Sequence, residues 1–235
     1  MSSLKDWPKV VLYGDSLTQF GFSEVGQWVS LLADRLQRKC DIINRGFSGY
    51  NSRWNKLMLP RLFDESNLKN VAVFVIFLGA NDSNLKALNP RQHVPVDEYQ
   101  NNLISMVKEL EQLGLKRDKV ILIGPPPCHE EAWAKVQEEK GMPMSKVNEL
   151  AGKYCDACKG AAQQLSVDCV ELFHKMSKEE NWERFFCDGL HFSREGSIFL
   201  DKLLWPLVEK KIKHLEPVMP LWDAVDYEHP ASSLL

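Results

Sequence analysis

Three side chains that together can break an acyl bond stand at telling positions: Ser16 in Gly14-Asp15-Ser16-Leu17-Thr18, and Asp188 and His191 in Asp188-Gly189-Leu190-His191. A serine hydroxyl is a poor nucleophile at neutral pH. It needs a base within reach, and the base needs a carboxylate to fix its tautomer and stabilise its cation. A spacing of three on a turn or helical segment brings both side chains to one side, so Asp188 can meet the His191 imidazole by local geometry alone. The negative charge that builds on the attacked carbonyl needs donors already in place. Candidates are the backbone N–H groups of Ser16 and Gly46 and the side-chain amide of Asn81; losing one such donor costs about 3 kcal/mol, roughly 100- to 1000-fold in rate.

Each residue also has a plainer reading. Gly-Asp-Ser is an ordinary turn and helix cap, so Asp15 is read as a turn residue and left out of the site, as is Asp82. Gly46 alone could serve backbone geometry only. Cys155-Asp156-Ala157-Cys158 has the spacing of a redox or zinc half-site, but it falls inside an amphipathic helical pattern with no second pair, and packing thiols are the better reading. His93, His129, His174, His214 and His229 show no paired spacing. Cys128 and His129 follow a proline run near the expected mouth. Phe47, Trp7, Phe192 and Trp222 could line an acyl pocket, although aromatics of this kind more often belong to a core.

The elements that must position these groups are legible as alternating patterns. Lys9–Tyr13 is a short run without polar alternation, as in a strand covered on both faces. Val25, Trp28, Val29, Leu32 and Leu36 give a helical stripe over 25–39, followed by a strand over 41–44. The buried run 71–78 ends at Gly79-Ala80-Asn81-Asp82. A helix over 96–113 meets Gly114 at its C-terminal cap position. Val120–Ile123 is a strand stopped by Gly124 and three prolines. A polar, charged stretch surrounds Trp133 over 130–140. A long helix is expected over 145–165, a strand over 167–172, and a last helix over 193–214 interrupted by Pro206. Five such alternations argue for a three-layer α/β sandwich, a central parallel sheet of about five strands with helices on both faces. The loops at the carboxyl ends of those strands carry Ser16, Gly46, Asn81, Asp188 and His191. No repeat or composition shift marks a second domain, so residues 1–235 are read as one domain with 216–235 as a proline-containing arm.

Composition narrows the partners. With 44% hydrophobic and 26% charged residues and a formal charge of −3, the chain has an ordinary globular make-up and no footprint for nucleic acid or an anionic membrane. A small neutral ester fits best. No signal-peptide-like stretch precedes Trp7, and no apolar run approaches the length of a membrane span, so a cytoplasmic location is expected, with the six cysteines as free thiols. The terminal Ser233-Leu234-Leu235 lacks the basic residue of a peroxisomal tripeptide.

Four blocks now carry a resemblance. Gly14-Asp15-Ser16-Leu17 resembles G-D-S-L, Gly46 in Asn44-Arg45-Gly46 a second block, Gly79-Ala80-Asn81-Asp82 G-x-N-D, and Asp188-Gly189-Leu190-His191 D-x-x-H. In this order they resemble the SGNH, or GDSL-like, hydrolases over about three quarters of the chain. The resemblance implies a flavodoxin-like hydrolase fold with Ser16, Asp188 and His191 as catalytic residues and Ser16, Gly46 and Asn81 in the oxyanion hole. The segment 45–51, the insert 125–141 and the arm look most like isoamyl acetate-hydrolysing esterase homologues. That narrower likeness implies short-chain acyl esters, a role in lipid or ester breakdown, no metal or organic cofactor, and a homodimer in which the arm can take part. The alternative nucleophile elbow G-x-S-x-G is absent, because Ser16, Ser23 and Ser48 are followed two residues on by Thr18, Val25 and Tyr50. The competing functions are acyl transfer at the same site and a non-catalytic acyl-binding module.

Overall fold

The computed structural model of the protein describes residues 6–24 and 28–234. The branched runs form one sheet of β1 Lys9–Gly14, β2 Asp41–Gly46, β3 Val71–Phe77, β4 Val120–Ile123 and β5 Asp168–Val170. Its order is β2-β1-β3-β4-β5 and every neighbouring pair is parallel. Parallel strands need long crossovers, and these run through the helices α1 Ser16–Gln19, α2 Trp28–Arg35, α3 Ser52–Leu62, α4 Glu65–Leu68, α5 Val96–Gln112, α6 Glu130–Glu139 and α7 Asn148–Leu165; α8 Leu172–Met176, α9 Arg194–Ile212 and α10 Ala231–Leu234 follow β5.

The missing polar alternation in the strands follows from burial on both faces. Val10 and Leu12 of β1 pack with Trp28 and Leu32 of α2 and with Leu200 and Leu204 of α9. The intervening Val11 and Tyr13 face the other way, into a cluster with Leu59 of α3, Leu103 and Val107 of α5 and Cys158 of α7. The three-layer expectation therefore holds. The strand order reverses direction between β1 and β3, and a crevice opens at the carboxyl ends of strands at such a switch point. Gly14 lets the chain leave β1 there: a Cβ at this position would lie 2.3 Å from Thr18 Oγ1 and 2.4 Å from the Phe77 carbonyl oxygen.

Several boundaries differ from the sequence reading for local reasons. The helix expected over 25–39 is described from Trp28 to Arg35, and Val25 lies outside the described residues. It unwinds into turns that end with Arg38 at φ +62°. β5 is shorter than expected, because Leu172 opens α8 instead of closing the strand. α3 and α4 had no assignment. Side-chain caps start them, Asn51 Oδ1 accepting from the Trp54 N–H and Asp64 forming a reciprocal capping box with Asn67. The charged stretch around Trp133 is the helix α6. Pro206 does not interrupt α9, which continues to Ile212. The carbonyl it leaves unpaired, four residues back at Lys202, belongs to an exposed residue, as is Pro206 itself.

The arm after α9 is pinned at its start, where the Val218 N–H donates to the Arg38 carbonyl and the Arg38 guanidinium donates to the carbonyls of Met219 and Pro220. A cavity of about 770 Å3 lies at the amino ends of the strands, lined by Pro8, Val71, Lys119, Asp168 and neighbouring lysines. Helix C-termini converge at that end, and lysines such as Lys69, Lys210 and Lys211 offset their partial negative charge. It is the wrong end of the sheet for the candidate groups.

Candidate active site

Ser16 is delivered by a turn that its neighbour builds. Asp15 Oδ1 accepts from the Leu17 N–H at 2.9 Å, and the Asp15 carbonyl accepts from the N–H groups of Thr18 and Gln19. This is the capping task assigned to Asp15 by the plain reading. Ser16 is thereby the first residue of α1, 6% exposed, with no intrahelical acceptor for its own N–H.

Asp188 and His191 come from a tight loop ahead of α9. The Cys187 N–H donates to the His191 carbonyl, and Phe186 and Phe192 form an isolated antiparallel bridge. Asp188 organises the loop as well as the imidazole. Its Oδ1 accepts from the His191 and Leu190 N–H groups at 2.7 and 2.9 Å, and its Oδ2 lies 2.6 Å from His191 Nδ1. Gly189 sits at φ +97° with room for a Cβ denied by the Trp133 nitrogen at 2.6 Å and the His129 carbonyl at 2.7 Å. The loop is docked on the start of α6, where the His129 N–H donates to the Gly189 carbonyl.

These elements bring the three groups into line: His191 Nε2 is 2.9 Å from Ser16 Oγ. Burial pushes the Asp188 carboxyl up, but the His191 hydrogen bond and charge and the two backbone donors outweigh it and hold the pKa below the usual value. An ionised Asp188 requires the proton on Nδ1, which leaves Nε2 as an acceptor for the serine hydroxyl. The imidazole is flanked edge-on by Phe20 and Trp133, at ring-centre distances of 5.6 and 5.8 Å.

The expected oxyanion residues fare differently. The Asn81 amide donates to the Tyr50 carbonyl at 2.9 Å, and its Oδ1 accepts from Gln92 at 3.3 Å. One of its two amide hydrogens is left over. The Gly46 N–H is directed to Asn44 Oδ1 at 2.9 Å. Its lack of a side chain is explained by packing, because a Cβ would lie 2.0 Å from the Gln19 nitrogen. Three residues on, Gly49 has φ +80° and an N–H without an acceptor among the described residues. Gly49 stands between Ser48, whose N–H donates to Gln19 Oε1 of α1, and Tyr50, whose carbonyl holds Asn81. Nothing in residue type distinguishes the two glycines; their hydrogen bonds do.

Beneath these loops lies a buried lysine that the spacing of motifs did not disclose. Lys146 is 6% exposed and donates to the Ala80 carbonyl at 2.5 Å. Burial pushes its pKa down, against the pull of Cys128, Asp15 and Asp82. Burial likewise pushes Asp15 up to about 6 and Asp82 up to about 7, and Asp82 Oδ1 caps α3 through the Ser52 N–H. Cys155 and Cys158 are fully buried on α7 as packing thiols. No group of ligating side chains suited to a metal occurs among the described residues. Cys128 is buried and its N–H is held by Asn148. Of the aromatics considered for a pocket, Phe192 lines the cavity at Ser16, whereas Trp222 is 88% exposed on the arm. That cavity measures about 200 Å3 and is walled by Leu17, Phe20, Cys187 and Phe192 around Ser16 and His191.

Known proteins share this chain's sequence and fold. Residues 12–197 match the GDSL-like Lipase/Acylhydrolase family. The chain is 47% identical to the isoamyl acetate-hydrolyzing esterase 1 homolog of Mus musculus over 97% of its own length and 92% of that protein's. It is 37% identical to a GDSL esterase/lipase of Arabidopsis thaliana, covering 96% of this chain and 97% of the other. Among solved structures, a lipase/acylhydrolase from Enterococcus faecalis superposes with a TM-score of 0.66 at 25% identity, covering 89% of this chain and 98% of that one. The chain belongs to the GDSL-like lipase/acylhydrolase family and is a carboxylic-ester hydrolase.

Proposed function

We propose that the protein hydrolyses short-chain acyl esters of the acetate type through a covalent acyl-enzyme on Ser16. The observation that carries this reading is the continuous relay from Asp188 Oδ2 to His191 Nδ1 at 2.6 Å and from His191 Nε2 to Ser16 Oγ at 2.9 Å. His191 takes the Ser16 proton as Oγ attacks the carbonyl carbon. The same proton then passes to the departing alcohol, and water, activated by His191, releases the acid and restores Ser16. The Ser16 N–H and the spare Asn81 amide hydrogen stabilise the oxyanion, with the Gly49 N–H in the place expected for Gly46.

Two features support short chains. A cavity of about 200 Å3 is smaller than the 300–1,000 Å3 typical of sites for drug-sized ligands, and the relative from Mus musculus bears the name of an isoamyl acetate-hydrolysing enzyme homologue. The reading also takes the chain as a single catalytic domain, since both apolar clusters sit on one sheet. Hydrolysis of p-nitrophenyl esters from acetate to palmitate by the parent and by Ser16→Ala tests it. Activity that requires Ser16 and falls beyond butyrate or hexanoate is expected. A kcat/KM that climbs toward palmitate, or survives in Ser16→Ala, refutes it.

A further inference from the structure

The side chain of Gln92, in the loop that leads into α5, uses both ends at once. Its Nε2 donates to the Gly49 carbonyl at 2.8 Å and to Asn81 Oδ1 at 3.3 Å. Its Oε1 accepts from Asn89 Nδ2 at 2.7 Å and from Asn84 Nδ2 at 3.3 Å. Its backbone is held too, the carbonyl accepting from Asn51 Nδ2 at 2.9 Å and the N–H donating to Asn89 Oδ1 at 3.3 Å.

The direction of these bonds has a logic that does not depend on how any one amide is drawn. A backbone carbonyl can only accept, so the end of Gln92 that faces the Gly49 oxygen must be its NH2. That NH2 also faces Asn81, so the Asn81 atom opposite it must be the oxygen. The other end of Asn81 is then its NH2, which is what the Tyr50 carbonyl, again an obligate acceptor, requires. Gln92, Asn81 and the Gly49-Tyr50 peptide thus close a ring of hydrogen bonds in which each member fixes the orientation of the next. Reversal of the Asn81 amide would set its oxygen against the Tyr50 carbonyl and its NH2 against that of Gln92, losing both bonds.

We propose that Gln92 is a positioning residue of the oxyanion site, holding Asn81 with its amide hydrogens forward and clamping the Gly49 turn beside it. The inference rests on the reading of Asn81 as an oxyanion donor. Gln92 does not touch the substrate; its effect is transmitted through Asn81 and Gly49. A misplaced donor loses part of the roughly 100- to 1000-fold that a removed one loses, and a half-buried side chain in a loop can be exchanged without opening the core.

The test compares Gln92→Leu, Gln92→Glu, Asn81→Ala and the double variant Gln92→Leu/Asn81→Ala, using p-nitrophenyl acetate turnover, the Ki of a trifluoromethyl ketone that binds as its oxyanion adduct, and thermal midpoints. Gln92→Leu is expected to lower kcat about 10- to 100-fold with KM within about twofold and to raise the ketone Ki in parallel. Gln92→Glu keeps the acceptor end and turns an oxygen on Gly49 and Asn81, so it should fall at least as far. In the Asn81→Ala background the further loss from Gln92→Leu should shrink below about threefold, because a residue acting through Asn81 has nothing left to position. A folded Gln92→Leu or Gln92→Glu with kcat within twofold of the parent overturns the proposal, as does a full multiplicative loss in the double variant. If Asn81→Ala itself keeps full kcat, the oxyanion assignment fails and takes this inference with it; a large loss in Asn81→Ala beside a silent Gln92→Leu removes the Gln92 role alone.

Discussion

Replacing Asp188 by asparagine preserves shape and removes one charge, and the loop geometry sets its cost. Asp188 Oδ1 accepts two backbone N–H groups at 2.7 and 2.9 Å, while Oδ2 faces His191 Nδ1 at 2.6 Å. An asparagine that keeps its oxygen on the two backbone donors turns its NH2 toward Nδ1. Nδ1 must then become the acceptor, the imidazole proton moves to Nε2, and Nε2 can no longer take the Ser16 proton. The flipped asparagine restores the tautomer but sets an NH2 against two backbone donors, with two buried N–H groups losing their acceptor at about 1–3 kcal/mol each. The first arrangement therefore wins, and the wrong tautomer in a Ser-His-Asp relay costs about 10^4 in kcat, or roughly 5 kcal/mol of transition-state stabilisation. The assay is kcat/KM for p-nitrophenyl acetate in folded parent and Asp188→Asn, on the same scale as Ser16→Ala. A loss of less than about tenfold would refute the relay as the source of the serine's reactivity.

Three further outcomes follow from the same geometry. Gly46→Ala forces a Cβ to 2.0 Å from the Gln19 nitrogen and should lose both fold and activity, whereas Gly49→Ala meets only Gln92 Nε2 at 3.4 Å and a φ of +80°, a strain of about 1–2 kcal/mol; equal thermal midpoints for the two variants would contradict this. Phe20→Ala widens the cavity of about 200 Å3, so the ratio of hexanoate to acetate kcat/KM should rise by about fourfold for each extra methylene accommodated, from roughly 0.8 kcal/mol per CH2, and an unchanged ratio counts against Phe20 as a wall. Burial raises Asp15 to about 6 and Asp82 to about 7 from an unfolded value near 3.8. A raised folded pKa means that the native state binds more protons over that window, so stability is fully present below about pH 4 and lost as pH climbs through 6 to 7. Urea midpoints should accordingly fall from pH 5 to 8 and fall less in Asp82→Asn; a parallel slope in the variant would exclude Asp82 as a source.

What could be read from the sequence is what local pattern determines. The central strands β1, β3 and β4 are visible because both faces of the sheet are apolar there, and the Ser16, Asp188 and His191 set because each member lies in a short block at the end of an element. The Asp188 to His191 geometry is local by construction. The oxyanion side is not. Gly46 and Gly49 are alike in residue type, but the N–H of Gly46 meets Asn44 Oδ1, which depends on Asn44 bonding both Gly46 and the Thr18 carbonyl, while that of Gly49 meets no acceptor among the described residues. Gln92 lies 43 residues from Gly49 and 11 from Asn81, so no spacing could have signalled that it bridges them. Nothing in the sequence around Lys146 signals its burial and its bond to the Ala80 carbonyl. α3 is not legible in the sequence because Pro60 and its polar residues mask the periodicity, while the cap at Asn51 that starts it is a single side chain.

The central claim is that Ser16 becomes acylated during turnover. Rapid acid quench of the protein hydrolysing p-nitrophenyl acetate, followed by intact-mass and peptide mass spectrometry, reads this directly. The expected result is an acetyl adduct confined to the peptide carrying Ser16, formed and lost at rates consistent with kcat, and absent from Ser16→Ala along with turnover. Steady hydrolysis without an adduct on Ser16, or an adduct on another residue that persists in Ser16→Ala, would contradict it.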